Sequence, residues 1–311
     1  MLWALGASFA LALFNVVLVR FIEAVVPPTG RFIEVDGLRV HVHDSGASPG
    51  HSGPPLVFVH GLLGQLNEFS FALAGRFPER RVVLIDRPGS GYSQTARPQT
   101  LTEQAKIVAG TISALGLDKP VIVGHSLGGA IALALALDFA GMVGGLALIA
   151  PLTKLVATPP KPFDDLGRRR RLALWLGAWT LGPIVTLLRA GTTRDVVFAP
   201  DPMSPRFWSQ AGGLLGARPS ALLAAADDIV TQPRELPDMM ARYRELDCPI
   251  GVLFGDGDKV LDPASQGAAF CAATPGAHYE RIAGGHMLPL AHPAECEAFI
   301  RRVLARLEPC A

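Results

Sequence analysis

Residues 121–139 read VIVGHSLGGAIALALALDF. Val121-Ile122-Val123 is a short apolar run that reads as a buried strand, and Ala130 to Phe139 carries a helix. Between them lies Gly124-His125-Ser126-Leu127-Gly128-Gly129. A serine in a strand-to-helix turn of this kind sits in a strained backbone conformation with its hydroxyl exposed above the sheet. Gly124 and Gly128 let strand and helix approach closely. The competing reading is a plain βα turn whose glycines serve packing alone.

Outward from that turn the pattern repeats. Leu56-Val57-Phe58-Val59 ends in His60-Gly61, Arg81 to Ile85 ends in Asp86-Arg87-Pro88-Gly89, and Leu146 to Ile149 is a further apolar run. Leu101 to Leu115 has helical spacing, with Gly116 placed to stop it. Upstream, Phe32 to Val35 and Leu38 to His43 flank the turn Asp36-Gly37 and read as a hairpin. Strands alternating with helices predict an α/β domain: a mostly parallel central sheet flanked by helices. The alternation lapses from Pro151 to Leu246 and resumes at Ile250 to Phe254, so the interrupting stretch reads as an inserted helical cap. The expected division is an N-terminal hydrophobic segment over 1–28, a core over 29–150 and 247–311, and a cap over 151–246.

A serine hydroxyl needs a base and a group to hold that base. Of the eight histidines, His286 follows the strand expected over His278 to Ile282, in the loop Gly284-Gly285-His286, where a parallel sheet places its ligands. His60 and His125 also neighbour the site, in positions better suited to structural hydrogen bonding. For the acid, Asp256, Asp258 and Asp262 all follow the strand Ile250 to Phe254, and position alone does not choose among them. Asp258 lies past the tight Gly-Asp-Gly turn, where the chain can swing a carboxylate toward His286. Aspartates at the other two positions suit turn and cap work. Backbone N–H groups of Leu62, in the loop after Val59, and of Leu127, after the serine, are the candidate oxyanion donors.

These elements in this order resemble the α/β-hydrolase fold superfamily, over about Arg31 to Leu307. Asp86 to Ser93 is similar to that family's D-x-P-G-x-G-x-S turn, which implies an architectural role there. The resemblance favours Asp258, the last position of the G-x-x-D string Gly255 to Asp258. A serine at 126 departs from the aspartate of epoxide hydrolases and haloalkane dehalogenases. The implied chemistry is acyl transfer by Ser126, Asp258 and His286 on an apolar or lipid-like ester, with no metal or organic cofactor. Perhydrolysis of the haloperoxidase type, and C–C bond, thioester or lactone hydrolysis, use the same three groups. A non-catalytic ligand binder has no need of all three together.

The 311 residues carry a net charge of +1, with 18% charged and 50% hydrophobic. Near-neutrality removes a global reason to expect nucleic-acid binding, and so apolar a chain is not disordered. The four cysteines show no zinc spacing and read as thiols. Leu2 to Val19 holds no charge and only Ser8 and Asn15 as polar side chains; as a helix it spans roughly 27 Å, near the thickness of a bilayer core. An uncleaved single-pass membrane anchor is therefore expected, a cleaved signal or a helix packed on the domain being the alternatives. Arg20, Arg31 and Arg39 after the span favour a cytoplasmic catalytic domain. Leu172, Leu174, Trp175, Leu176, Trp179, Leu187 and Leu188 are expected to line an apolar pocket or touch a bilayer. Arg168 to Arg171 would then sit among headgroups, or form a solvated helix face. The oligomeric state is not readable.

Overall fold

The computed structural model describes residues 2–48, 50–156 and 171–307 (backbone only over 2–8 and at 171). Its hairpin is β1 (Arg31–Val35) and β2 (Leu38–Asp44), antiparallel, turned by Asp36 and Gly37 at φ of 50° and 74°. Both turn residues are thus left-handed, the geometry that matches the twist of the flanking strands. The remaining strands are β3 (Leu56–Val59), β4 (Val82–Ile85), β5 (Val121–His125), β6 (Gly145–Ile149), β7 (Ile250–Gly255) and β8 (Ala277–Ile282). They form one sheet in the order β1-β2-β4-β3-β5-β6-β7-β8, antiparallel at β1–β2 and β2–β4 and parallel elsewhere. The order reverses at β3: the chain goes to β4 on one side and β5 on the other. A crevice opens at the carboxyl ends of strands where such a reversal occurs.

The central strands are buried on both faces, which is why they read as unbroken apolar runs instead of alternating ones. Val57, Val59, Ile122 and Leu148 face a layer containing α2 (Leu101–Ala114) and α3 (Leu127–Asp138). Leu56, Phe58, Val123 and Ile149 face the opposite layer with Phe69, Phe77 and the Phe299 and Ile300 of α7 (Pro293–Ala305). Helix α2 starts at Thr100, whose hydroxyl accepts from Glu103 N–H while the Glu103 carboxylate accepts from Thr100 N–H. That capping box closes two otherwise open donors. Between β6 and β7 the insertion carries α4 (Arg171–Thr180), α5 (Gly182–Leu188) and α6 (Pro219–Arg242).

The N-terminal expectation is corrected here. Helix α1 (Leu2–Val25) runs on through Arg20 and Glu23, and no helix among the described residues is long and apolar enough to cross a membrane. One side of α1 docks on the insertion. Buried Asn15 donates its amide to the Trp179 carbonyl at 2.7 Å and to the Thr180 carbonyl. Ile22 and Val26 pack with Leu215 and Ala217, and Arg218 pairs with Glu23 at 3.1 Å. The single-pass anchor, the membrane as partner and the membrane location fall together. The cytoplasmic orientation, which presupposes that span, falls with them. Arg20 faces Glu23 at 3.6 Å, Arg31 bonds Asp44 at 2.8 Å, and Arg39 lies 3.8 Å over the Phe32 ring. Arg168 to Arg170 and the side chain of Arg171 lie outside the described residues, as does Cys310. Cys248, Cys271 and Cys296 are free thiols.

Candidate active site

Strand β5 ends at His125 and helix α3 begins at Leu127, so Ser126 alone makes the turn, at φ 54° and ψ −119°. A non-glycine residue held there costs about 1–3 kcal/mol and persists because its surroundings over-determine it. Ser126 N–H donates to the Ile149 carbonyl at 3.1 Å, and its own carbonyl accepts from Gly129 and Leu152, each at 2.9 Å. The flanking glycines are sterically required. A Cβ on Gly124 would stand 2.7 Å from the Gly128 carbonyl oxygen, and one on Gly128 only 2.0 Å from that of Val59.

Three chain segments far apart in sequence converge on the serine. His286 Nε2 lies 3.0 Å from Ser126 Oγ, and His286 Nδ1 lies 2.7 Å from Asp258 Oδ2. The other Asp258 oxygen accepts the N–H groups of Val260 (2.8 Å) and Leu261 (2.9 Å). With a carboxylate at Nδ1, the imidazole carries its proton there and turns the Nε2 lone pair toward the serine hydroxyl. The two other aspartates are spent elsewhere. Exposed Asp256 pairs with Arg281 at 2.6 Å, and Asp262 accepts from Ser265 N–H at 2.9 Å. Leu62 and Leu127 line the same cavity as Ser126, a space of about 220 Å³. Leu127 opens α3, so its N–H has no acceptor within the helix.

The cavity walls differ from expectation. None of Leu172, Leu174, Trp175, Leu176, Trp179, Leu187 or Leu188 lines it. Leu172, Trp175, Leu176 and Leu188 face outward. The insertion instead contributes Leu155, Val156, Val197, Phe198, Phe207 and Ile229. Helical spacing identified an apolar surface but not which side the fold would turn inward.

Further buried polar groups surround the site, and His125, expected there in a structural role, has a partner that no local motif announces. Glu68 and His125 face each other at 2.5 Å, and His125 Nε2 lies 3.1 Å from the His286 carbonyl, to which it donates. Burial opposes charge on both, but their mutual attraction prevails: the His125 pKa is raised and that of Glu68 lowered. On the cap side, Asp201 accepts the Gly285 N–H at 2.7 Å and holds His292 Nε2 at 2.9 Å, steadying the loop that carries His286.

His60 is structural. Its Nδ1 donates to the Gly61 carbonyl at 2.9 Å, and its Nε2 accepts the Arg87 N–H at 3.1 Å. Complete burial, with the Arg87 charge adding to it, holds the His60 pKa down to about 4 from 6.5. The unfolded chain therefore takes up this proton first, and stability falls as pH drops from about 6.5 toward 4. At pH 4.5 this linkage is worth about 2–3 kcal/mol. Urea titrations at pH 7 and 4.5 should show His60→Asn losing less stability on acidification than the wild type by that amount. Equal losses would assign the acid sensitivity to other groups.

A family model described as alpha/beta hydrolase fold matches residues 54–293. The chain is 28% identical to a 2-hydroxy-6-oxononadienedioate/2-hydroxy-6-oxononatrienedioate hydrolase of Burkholderia vietnamiensis, over 75% of this chain and 81% of that one. It is 34% identical, over 39% of its length, to the dihydrolipoyllysine-residue acetyltransferase component of an acetoin cleaving system of Cupriavidus necator, spanning about a third (32%) of that protein. Among solved structures, a thermophilic esterase from Thermogutta terrifontis superposes with a TM-score of 0.71 at 23% identity, over 90% of this chain and 100% of that one.

Proposed function

The chain belongs to the alpha/beta hydrolase fold family, and from that premise we propose that it is a serine hydrolase cleaving a neutral, apolar carboxylic ester. The observation that carries the reading is the unbroken line from Ser126 Oγ through His286 to Asp258, at 3.0 and 2.7 Å, opening on an apolar cavity. In this reading Ser126 attacks the ester carbonyl as His286 Nε2 takes its proton. Asp258 holds the ring and stabilises the imidazolium. The backbone N–H groups of Leu62 and Leu127 receive the negative charge on the carbonyl oxygen. As the C–O bond breaks, His286 returns the proton to the departing alcohol. Water, deprotonated by the same histidine, then attacks the acyl-enzyme and frees the acid and Ser126. In this reading the described residues of 29–150 and 247–311 form the catalytic core, and those of 151–246 a cap that supplies part of the cavity wall.

Charge bears on the substrate. Among the described residues no arginine or lysine lines the cavity, and the His125 that does is already paired with Glu68, so it is not free for a substrate carboxylate. A dioate of the kind named for the Burkholderia vietnamiensis relative brings carboxylates that need cationic partners, because a buried unpaired charge is costly. A neutral ester has no such need.

A series of p-nitrophenyl esters from acetate to decanoate tests this. Each methylene that enters the apolar cavity contributes up to about 0.8 kcal/mol, close to fourfold in kcat/KM. The rise should continue over several carbons before levelling, and a terminal carboxylate on the acyl chain should abolish the gain. Preference for acetate, or for the carboxylated chain, overturns the neutral apolar assignment.

A further inference from the structure

Behind the cavity lies a charged group that the reaction scheme does not use. Arg87 occupies an unspecified position of the Asp86 to Ser93 turn and is 1% exposed. Its guanidinium makes four hydrogen bonds, two of them to the backbone that precedes Leu62. Nε donates to the His60 carbonyl at 3.1 Å and Nη2 to the Gly61 carbonyl at 3.0 Å. Nη1 donates to Gln104 Oε1 at 2.7 Å and to Asp228 Oδ2 at 3.0 Å. Gln104 in turn donates to the other Asp228 oxygen at 2.7 Å, so the carboxylate is gripped on both sides.

The Gly61 carbonyl and the Leu62 N–H belong to one peptide unit. That unit is planar and trans, so the two groups point in opposite directions. Arg87 Nη2 at 3.0 Å and His60 Nδ1 at 2.9 Å, together with the Gly64 N–H at 3.2 Å, fix the orientation of the carbonyl. They thereby fix the direction of the N–H on its far side, toward the cavity that Leu62 lines. A cation on the carbonyl oxygen also draws electron density through the peptide and makes that N–H a stronger donor. Asp228 belongs to α6, the last long helix of the insertion, so the grip on Arg87 is shared between Gln104 of the core helix α2 and a carboxylate of the cap.

We propose that Arg87 is a positioning residue that aims and polarises the Leu62 N–H as an oxyanion donor, and that Asp228 of the cap holds Arg87 in that role. The inference rests on the serine-hydrolase reading of Ser126 and Leu62. It assigns Arg87 no contact with substrate. Its effect is on the transition state, where the oxygen carries charge, and not on binding of the uncharged ester.

The test compares wild type, Arg87→Gln and Arg87→Lys on a p-nitrophenyl ester. It measures kcat and KM separately, together with the affinity for a trifluoromethyl ketone, which forms a tetrahedral oxyanion on the serine. Removing one oxyanion donor typically costs about 10²–10³ in kcat. Arg87→Gln is expected to lose a large part of that, with KM within threefold of wild type and a parallel loss of ketone affinity. Arg87→Lys keeps the charge and one bond to the Gly61 carbonyl, and should recover about tenfold of the loss. A purely structural role predicts lower stability with unchanged kcat per folded molecule, and that result in Arg87→Gln overturns the proposal. If Arg87→Gln does not fold, Arg87→Lys decides alone: reduced kcat at unchanged KM supports the role and wild-type kcat refutes it. Fluorophosphonate labelling of the wild type separates the two levels. Absence of a Ser126 adduct removes the hydrolase reading itself. An adduct together with wild-type kcat in both variants removes only the role of Arg87.

Discussion

Ser126→Ala is expected to lower ester turnover by at least about 10⁴-fold while leaving the fold intact. The loss is large because the nucleophile is removed and water must attack without a covalent intermediate. The fold survives because the turn is held by its backbone. The N–H of Ser126 reaches Ile149, its carbonyl reaches Gly129 and Leu152, and none of these bonds uses the hydroxyl. Alanine bears the same Cβ as serine, so the strain at φ 54° is neither relieved nor increased, and thermal melting should shift by no more than a few degrees. Wild-type turnover in a variant whose melting and circular dichroism match the parent would mean that Ser126 is not the nucleophile.

Asp258→Asn should cost about 10⁴-fold in kcat near neutral pH. The local hydrogen bonds dictate the direction. Asp258 Oδ1 accepts two backbone N–H groups, from Val260 and Leu261, while Oδ2 faces His286 Nδ1. An asparagine must keep its oxygen toward the two donors, which turns its NH₂ toward Nδ1. The imidazole then has to accept at Nδ1 and carry its proton on Nε2, the wrong tautomer for removing a proton from Ser126. Asp256→Asn and Asp262→Asn remove only an exposed pair with Arg281 and a cap on Ser265, so both should stay within about threefold of wild type, as surface changes usually do. A collapse of kcat in either of those, with Asp258→Asn still active, would move the acid to another carboxylate.

How much was readable in advance depended on the range of the interaction. The parallel strands are legible because burial on both faces leaves continuous apolar runs at 56–59, 121–123 and 146–149. The turn at Ser126 is legible because its glycines are demanded by neighbours in the same βα unit or on the adjacent strand. The N-terminal helix reads as a span because hydropathy along a window does not show that one side of it, at Asn15 and Ile22, is buried against protein while Phe9, Leu13, Phe14, Val17 and Phe21 stay exposed. Asn15 was the informative residue, since a buried amide needs acceptors and finds them on the Trp179 and Thr180 carbonyls. The pairs Glu68–His125 and Arg87–Asp228 span 57 and 141 residues of sequence. The sequence places His125 and Arg87 in turns at strand ends, but nothing local marks Glu68 or Asp228 as their partners, and only the folded sheet brings them together.

Among the insertion's acidic side chains that reach the core, Glu235 accepts the Leu101 N–H at the start of α2, and two others brace the site, Asp201 on the Gly285 N–H and Asp228 on Arg87. Modularity is limited by these two struts. A cap transplanted from another protein removes the acceptor of the Gly285 N–H and the carboxylate partner of Arg87 unless it brings carboxylates to the same two places. Substitutions that retune the cavity are therefore freest along Leu155, Val197, Phe207 and Ile229, which line the space without holding the machinery.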